Sequence, residues 1–189
     1  ENPKHEIKWI WSDDYENVFT DQEHELIMDH LKELPFLVLC NHCYDPPCVR
    51  VCPTKATFKR ETDGIVIMDM HRCIGCRFCM AACPYGSRSF NWVDPREYIN
   101  EKEQNMDYPT RMKGVVEKCN FCAELLAEGR IPRCVEVAQE LSREKGKEPA
   151  LVFGDLDDPD SEVRKLLRSR YSLRRKPALG TNPNVYYIV

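Results

Sequence analysis

Eight cysteines of this chain stand in two runs whose spacing suits iron–sulfur chemistry. The first run is Cys40, Cys43, Cys48 and Cys52, closing on Pro53; the second is Cys73, Cys76, Cys79 and Cys83, closing on Pro84. Iron ions in a sulfide cube take one thiolate each, and a C-x2-C-x2-C loop can supply three corners from one tight turn. In such runs the fourth cysteine, the one before proline, ligates the other cluster of a pair. Applied here, the rule assigns Cys40, Cys43 and Cys48 with Cys83 to one [4Fe–4S] cluster. It assigns Cys73, Cys76 and Cys79 with Cys52 to a second. Zinc is the alternative, since C-x2-C pairs are common zinc ligands. Zinc sites, however, do not call for four cysteines ending twice in Cys-Pro. Disulfides fit less well again, because pairing all 11 cysteines leaves one over.

A third set, Cys119, Cys122 and Cys134, lacks its fourth member: the position where it would fall holds Ala138. Three cysteines of this kind beside two cubane motifs predict a third cluster. It is either a [4Fe–4S] cluster with a ligand from elsewhere or a [3Fe–4S] cluster. The sequence begins at Glu1 rather than Met, and the missing ligand is expected from residues before Glu1.

The elements that must carry these loops are short. Thr20-Asp21-Gln22-Glu23 has the form of a capping box before a helix with Leu26, Ile27, Leu31 and Leu34 on one side, ended by Pro35. Trp9 and Trp11 before it are packing residues. Ala56–Arg60 and Ile65–Asp69 alternate around Asp63-Gly64, which predicts a β-hairpin. Residues 93–118 are polar and form a connecting excursion. A helix is expected over 119–129 with Gly129 as its stop, a strand over Ala150–Phe153, and a last helix from Pro159 to about Arg170 with Val163, Leu166 and Leu167 inward. The tail Val185–Val189 is either a core strand or a segment lying against a membrane partner. The expected class is α+β: ferredoxin-like modules of short hairpins and helices wrapped around clusters. Its divisions are an N-terminal segment 1–39, a two-cluster module 40–92, an insertion with the third motif 93–155, and a C-terminal helix and docking tail 156–189.

Composition excludes several function classes. A formal net charge of -4 leaves no electrostatic footprint for nucleic acid. The longest apolar stretches, Leu34–Cys40 and Val185–Val189, fall far short of the roughly 20 residues of a membrane span. No nucleophile triad, no phosphate-cradling glycine loop and no HExxH motif is present.

The motifs Cys40-Asn41-His42-Cys43, Cys73-Ile74-Gly75-Cys76-Arg77-Phe78-Cys79, Cys83-Pro84-Tyr85-Gly86 and Glu117-Lys118-Cys119-Asn120-Phe121-Cys122 resemble those of the ferredoxin-like electron-transfer subunits of the DMSO-reductase/polysulfide-reductase class. The resemblance covers essentially the whole chain. Within the class it is nearest to the iron–sulfur subunit of DsrMKJOP-type complexes, through Pro3–Trp11, Val152–Leu156 and Arg174–Val189. Such subunits carry four motifs, and the three sets here match the second, third and fourth. The resemblance implies single-electron relay through clusters, without catalysis by this chain. It implies an NrfD-like integral membrane quinone-interacting subunit, a multihaem cytochrome c subunit and the other subunits of the complex as partners. It also implies a peripheral place on the outer face of the cytoplasmic membrane. A molybdopterin oxidoreductase is the alternative assembly, and a zinc-binding assembly module without redox chemistry the alternative of another class.

His42 and His71, beside the cysteines, are expected as hydrogen-bond donors or surface residues rather than ligands. Arg72, Arg77 and Arg88 are expected to be solvated or paired with carboxylates, with compensation of cluster charge as the minor alternative. Arg164, Lys165, Arg168, Arg170, Arg174, Arg175 and Lys176 form the one notable basic run, expected as a solvated helix face, with contact to an acidic partner or a membrane surface as the alternative.

Overall fold

The computed structural model describes residues 7–19, 34–98 and 111–189. The expected capping box and the helix after it, up to residue 33, lie outside the described residues. Contacts divide the protein into two compact units. One comprises Glu1–Asn120 and Arg174–Tyr186, the other Phe121–Leu173 and Tyr187–Val189.

The first unit is assembled from small antiparallel pairs. Strand β1 (Ile10–Asp13) pairs with β2 (Phe36–Leu39), Trp11 opposite Val38. Helix α1 (Tyr15–Val18) follows β1 and folds Tyr15 and Phe19 onto Phe36, with ring centroids 5.7 and 5.3 Å apart. Tyr15, Val18, Phe19 and Val38 are all fully buried. The Asp63-Gly64 turn joins β3 (Thr57–Lys59) to β4 (Val66–Met68) in the predicted hairpin, Phe58 opposite Ile67. Gly64 takes φ +70°, and the Asp63 carboxylate accepts the Ile65 N–H at 3.0 Å. The second hairpin is interrupted by the excursion: β5 (Ser89–Phe90) pairs with β6 (Val116–Glu117).

Between these pairs lie two short helices. Helix α2 (Pro47–Arg50) starts on proline, which fixes φ and forgoes an N–H that the first turn would leave unpaired. Helix α3 (Phe78–Ala82) starts after Arg77, at φ +62°. They pack together, and Cys48 of one and Cys79 of the other share a core cluster with Val66 and Val116. Residues 174–186 return to this unit and strap the first cysteine loop. Asn182 and Thr181 carbonyls accept the N–H groups of Tyr44 and Asp45, and Asn184 donates its N–H to the Asn41 carbonyl. Glu117 gathers the N-terminal strand region and the excursion. Its buried carboxylate accepts from Trp9 Nε1 at 3.0 Å, Asn91 Nδ2 at 2.6 Å and Arg111 Nε at 3.0 Å.

The second unit is helical. Helix α4 (Ala123–Ala127) ends at Gly129, φ +74°, as its sequence predicts, though it is shorter than the expected 119–129. Helix α5 (Arg133–Glu144) has no counterpart among the expected elements; Val135 and Ser142 are its buried residues. Helix α6 (Glu162–Ser169) matches expectation, with the Ser161 hydroxyl capping Arg164 N–H and Val163, Leu166 and Leu167 half-buried. The expected strand over Ala150–Phe153 is not formed. Ala150 N–H donates to Ser142 Oγ and Leu151 C=O accepts from Gln139, so side chains of α5 take the bonds a strand partner would supply. The tail does form a strand: β8 (Tyr187–Ile188) pairs with β7 (Ser172–Leu173).

The basic run does not make one face. Arg175 is buried beneath Tyr85, Lys176 donates to the Pro84 carbonyl, and Lys165 and Arg170 pair with Glu162 and Glu148.

Two outcomes test this packing. Glu117→Ala leaves three donors without their acceptor and should lower stability by about 3 kcal/mol in a denaturant titration of the loaded protein. Gly75→Ala should cost cluster content, seen as lost visible sulfur-to-iron absorbance. At φ +69° a Cβ there would stand 2.3 Å from the Gly114 carbonyl oxygen, a backbone atom with nowhere to go.

Candidate metal centre

The ligand loops share one backbone device. In the first C-x2-C turn of each set the second intervening residue is left-handed: His42 at φ +41°, Gly75 at +69° and Phe121 at +55°. That conformation curls the loop so that its two cysteines can face one body, and only glycine adopts it without steric cost. The Cys-Pro ends also repeat. Cys52-Pro53-Thr54-Lys55 and Cys83-Pro84-Tyr85-Gly86 each close a turn, the fourth residue donating to the cysteine carbonyl at 3.3 and 3.4 Å with φ +54° and +65°. The internal repeat in the sequence is therefore a repeat of turns.

Cys40, Cys43, Cys48 and Cys83 line one cavity, with about 350 Å³ of empty volume that is partly open to solvent. This is the set predicted for the first cluster, including the crossing ligand from the second run. Burial pushes the Cys43 thiol up to about 12, reinforced by repulsion from Cys40, Cys48 and Cys83. Burial raises Cys83 too, against N–H donors from Ser87 and Tyr85, with Cys40 and Cys48 adding repulsion. Thiolates this crowded cannot ionise together without a cationic body among them. Among the described residues no three His, Cys, Asp or Glu side chains converge closely enough for a single ion. The four thiols instead surround a space, and an all-sulfur donor set around a space suits a multi-iron cluster.

The other set is drawn together more loosely. Burial raises Cys79, Arg88 counters it, and Cys48, Cys73 and Cys52 add repulsion, which places Cys79 near two of its predicted partners. Cys52 is partly desolvated, but N–H donors outweigh this and hold it below the usual thiol range; Thr57 N–H reaches its sulfur at 3.4 Å. Gly75 N–H reaches Cys73 Sγ at the same distance. Donors of this kind stabilise thiolate and raise the potential of whatever metal it binds.

Of the third set, Cys122 and Cys134 come together within the second unit. Burial raises Cys134, and Cys122 adds repulsion. Cys119 belongs to the first unit. Ala138 lies one turn beyond Cys134 on α5.

His42 is buried and its Nδ1 accepts the Val66 N–H at 3.2 Å. Burial, helped by the Lys118 cation, pushes it well below the usual histidine range, so it is neutral. It supports the loop and is not placed as a ligand. His71 is exposed. Arg72 pairs with Asp69, and Arg77 lies over Phe90 and Trp92. Arg88 departs from the main expectation, being buried at 5% exposure beside the four-cysteine cavity. Burial opposes its charge, but Cys48, Cys79 and Cys40 outweigh this and push it up. Nothing in the sequence distinguishes this arginine from its exposed neighbours, because its burial follows from the pairing of β3 with β4. Asn41 and the Tyr85–Thr181–Arg175 group at the same site carry no such sequence signal either.

The family model of the 4Fe-4S dicluster domain matches residues 33–98. The Hdr-like menaquinol oxidoreductase iron-sulfur subunit 1 of Archaeoglobus fulgidus is 52% identical over 162 residues, covering 82% of this chain and 57% of the relative. A polysulfide reductase subunit of Wolinella succinogenes is 39% identical over 150 residues, 79% of this chain and 64% of the relative. The arsenate respiratory reductase iron-sulfur subunit ArrB of a Shewanella species is 38% identical over 179 residues, 79% of this chain and 73% of the relative. The chain thus spans little more than half the length of several curated relatives that it matches. With four cysteines around one cavity and these matches, it belongs to the family of iron–sulfur subunits of polysulfide-, arsenate- and menaquinol-type oxidoreductases.

Proposed function

We propose that this chain relays single electrons through three iron–sulfur clusters inside a membrane-associated oxidoreductase complex. The observation that carries the proposal is the cavity shared by Cys40, Cys43, Cys48 and Cys83. It brings a cysteine of the second run to the first, as paired cubanes require. Cys73, Cys76, Cys79 and Cys52 hold the second cluster. A third, on Cys119, Cys122 and Cys134, is supported by their spacing and by the left-handed Phe121, which matches His42 and Gly75 in the other loops. Each cluster accepts and passes one electron at a time. The chain supplies the ligands, the N–H donors to them and the exclusion of water from the buried corners.

The names of two relatives, a menaquinol oxidoreductase subunit and a menaquinone reductase subunit, support a quinone-interacting membrane partner here. No helix among the described residues is long and apolar enough to cross a membrane. The finer assignment is to a DsrMKJOP-type complex of sulfur metabolism, with an NrfD-like subunit, a multihaem cytochrome c subunit and a place on the outer membrane face. A molybdopterin-containing partner is the second reading, favoured by the selenate, arsenate and tetrathionate reductase subunits among the relatives. Co-purification of a molybdopterin subunit would select it.

The crossing of ligands has a direct test. Cys83→Ser should alter the spectrum of the cluster held by Cys40, Cys43 and Cys48, and Cys52→Ser that of the cluster held by Cys73, Cys76 and Cys79. Electron paramagnetic resonance of the reduced chain reads both; if each change instead disturbs the cluster of its own run, the assignment fails. Cys134→Ser should remove the third signal and leave the first two. A strong [3Fe–4S] signal from the oxidised wild-type chain would show that the third site has only its three cysteines.

A further inference from the structure

Two buried side chains at the four-cysteine cavity carry polar atoms with no hydrogen-bond partner among the described residues. Arg88 is 5% exposed. Its Nη1 donates to Thr57 Oγ1 at 3.1 Å and to Met68 Sδ at 3.7 Å, while Nη2 is buried without a hydrogen-bond partner among the described residues. No carboxylate among them pairs with it there. Asn41 is 1% exposed, and neither atom of its carboxamide has such a partner, although its backbone carbonyl is held by Asn184. Both residues line the cavity of Cys40, Cys43, Cys48 and Cys83.

A buried cation without an anion and a buried amide without an acceptor are each costly, and native structures keep few of them. Sulfur acceptors and negative charge are what an occupied cavity of four thiolates would offer to both. The two residues differ in reach. Arg88 interacts with Cys40 and Cys48 of one set and with Cys79 of the other. Asn41 follows Cys40 in the first loop and lines that cavity.

Resting on the relay function proposed above, we propose that Arg88 and Asn41 set the reduction potentials of this chain. Arg88 is a fixed cation shared by the first two clusters. Asn41 is a hydrogen-bond donor to the first cluster alone. Neither is a ligand, and neither needs to gain or lose a proton when an electron arrives. A positive charge or an N–H directed at sulfur favours the reduced form, so removing either lowers the potential. Together they make the cluster held by Cys40, Cys43, Cys48 and Cys83 the more readily reduced of the pair.

The test is a redox titration of the full chain followed by electron paramagnetic resonance, with iron content measured on every sample. Arg88→Gln should raise the oxidised-to-reduced ratio of both clusters at fixed potential by about tenfold, which is about 59 mV for a one-electron couple. Arg88→Lys keeps the charge and should stay within about threefold of wild type by the same measure. Asn41→Leu should shift the first cluster and leave the second in place. The proposal is overturned if Arg88→Gln retains its iron with both ratios unchanged, or if Asn41→Leu moves both clusters alike. If Arg88→Gln loses iron, Arg88→Lys decides: a tenfold shift there overturns the role of charge, and a near-wild-type ratio supports it. A wild-type chain without cluster signals would refute the relay function instead, so the two failures are distinguishable.

Discussion

Mutual repulsion among buried thiolates is the constraint on which this structure turns. Cys40, Cys43, Cys48 and Cys83 line one cavity, and Cys43 is pushed up to about 12 by burial and by its three neighbours. Left to themselves these sulfurs resist ionisation. A body that binds thiolate converts the repulsion into attraction. Beside it the apolar packing is small, with Val66 and Val116 between Cys48 and Cys79. Folding and cluster assembly are therefore coupled, as in other small domains whose binding free energy is folding free energy.

Much of the site was legible because ligand spacing is a one-dimensional signal. The cysteine runs, the prolines after the crossing ligands, the Asp63-Gly64 hairpin and the stop at Gly129 all depend on local backbone chemistry, and each appears where its residues predict. The rule that paired clusters exchange their fourth ligands singles out Cys83, which lines the cavity of Cys40, Cys43 and Cys48. The repeat of left-handed positions was only partly visible: Gly75 advertises it, while His42 and Phe121 adopt it against their own preference and are held there by the loop.

What was not legible depends on tertiary contacts. Helix α5 is the exception: Cys134, Val135, Ala138 and Leu141 fall at helical spacing, so its pattern is local to the sequence, and it carries Cys134. Ala150–Phe153 has strand-forming residues, but Ser142 and Gln139 engage its backbone first. The basic run looked like one surface and is split among a buried contact with Tyr85, a carbonyl at Pro84 and separate carboxylates. Arg88 and Asn41 show the same limit. Their positions at the cavity come from pairing and packing among distant segments, and no local pattern marks them.

Parallel determination of iron, acid-labile sulfide and zinc in protein prepared without oxygen tests the central claim most directly. The account predicts iron and sulfide in equal amounts, about 12 of each per chain for three cubane clusters, and no stoichiometric zinc. Zinc bound in place of iron, or iron without sulfide, would contradict it.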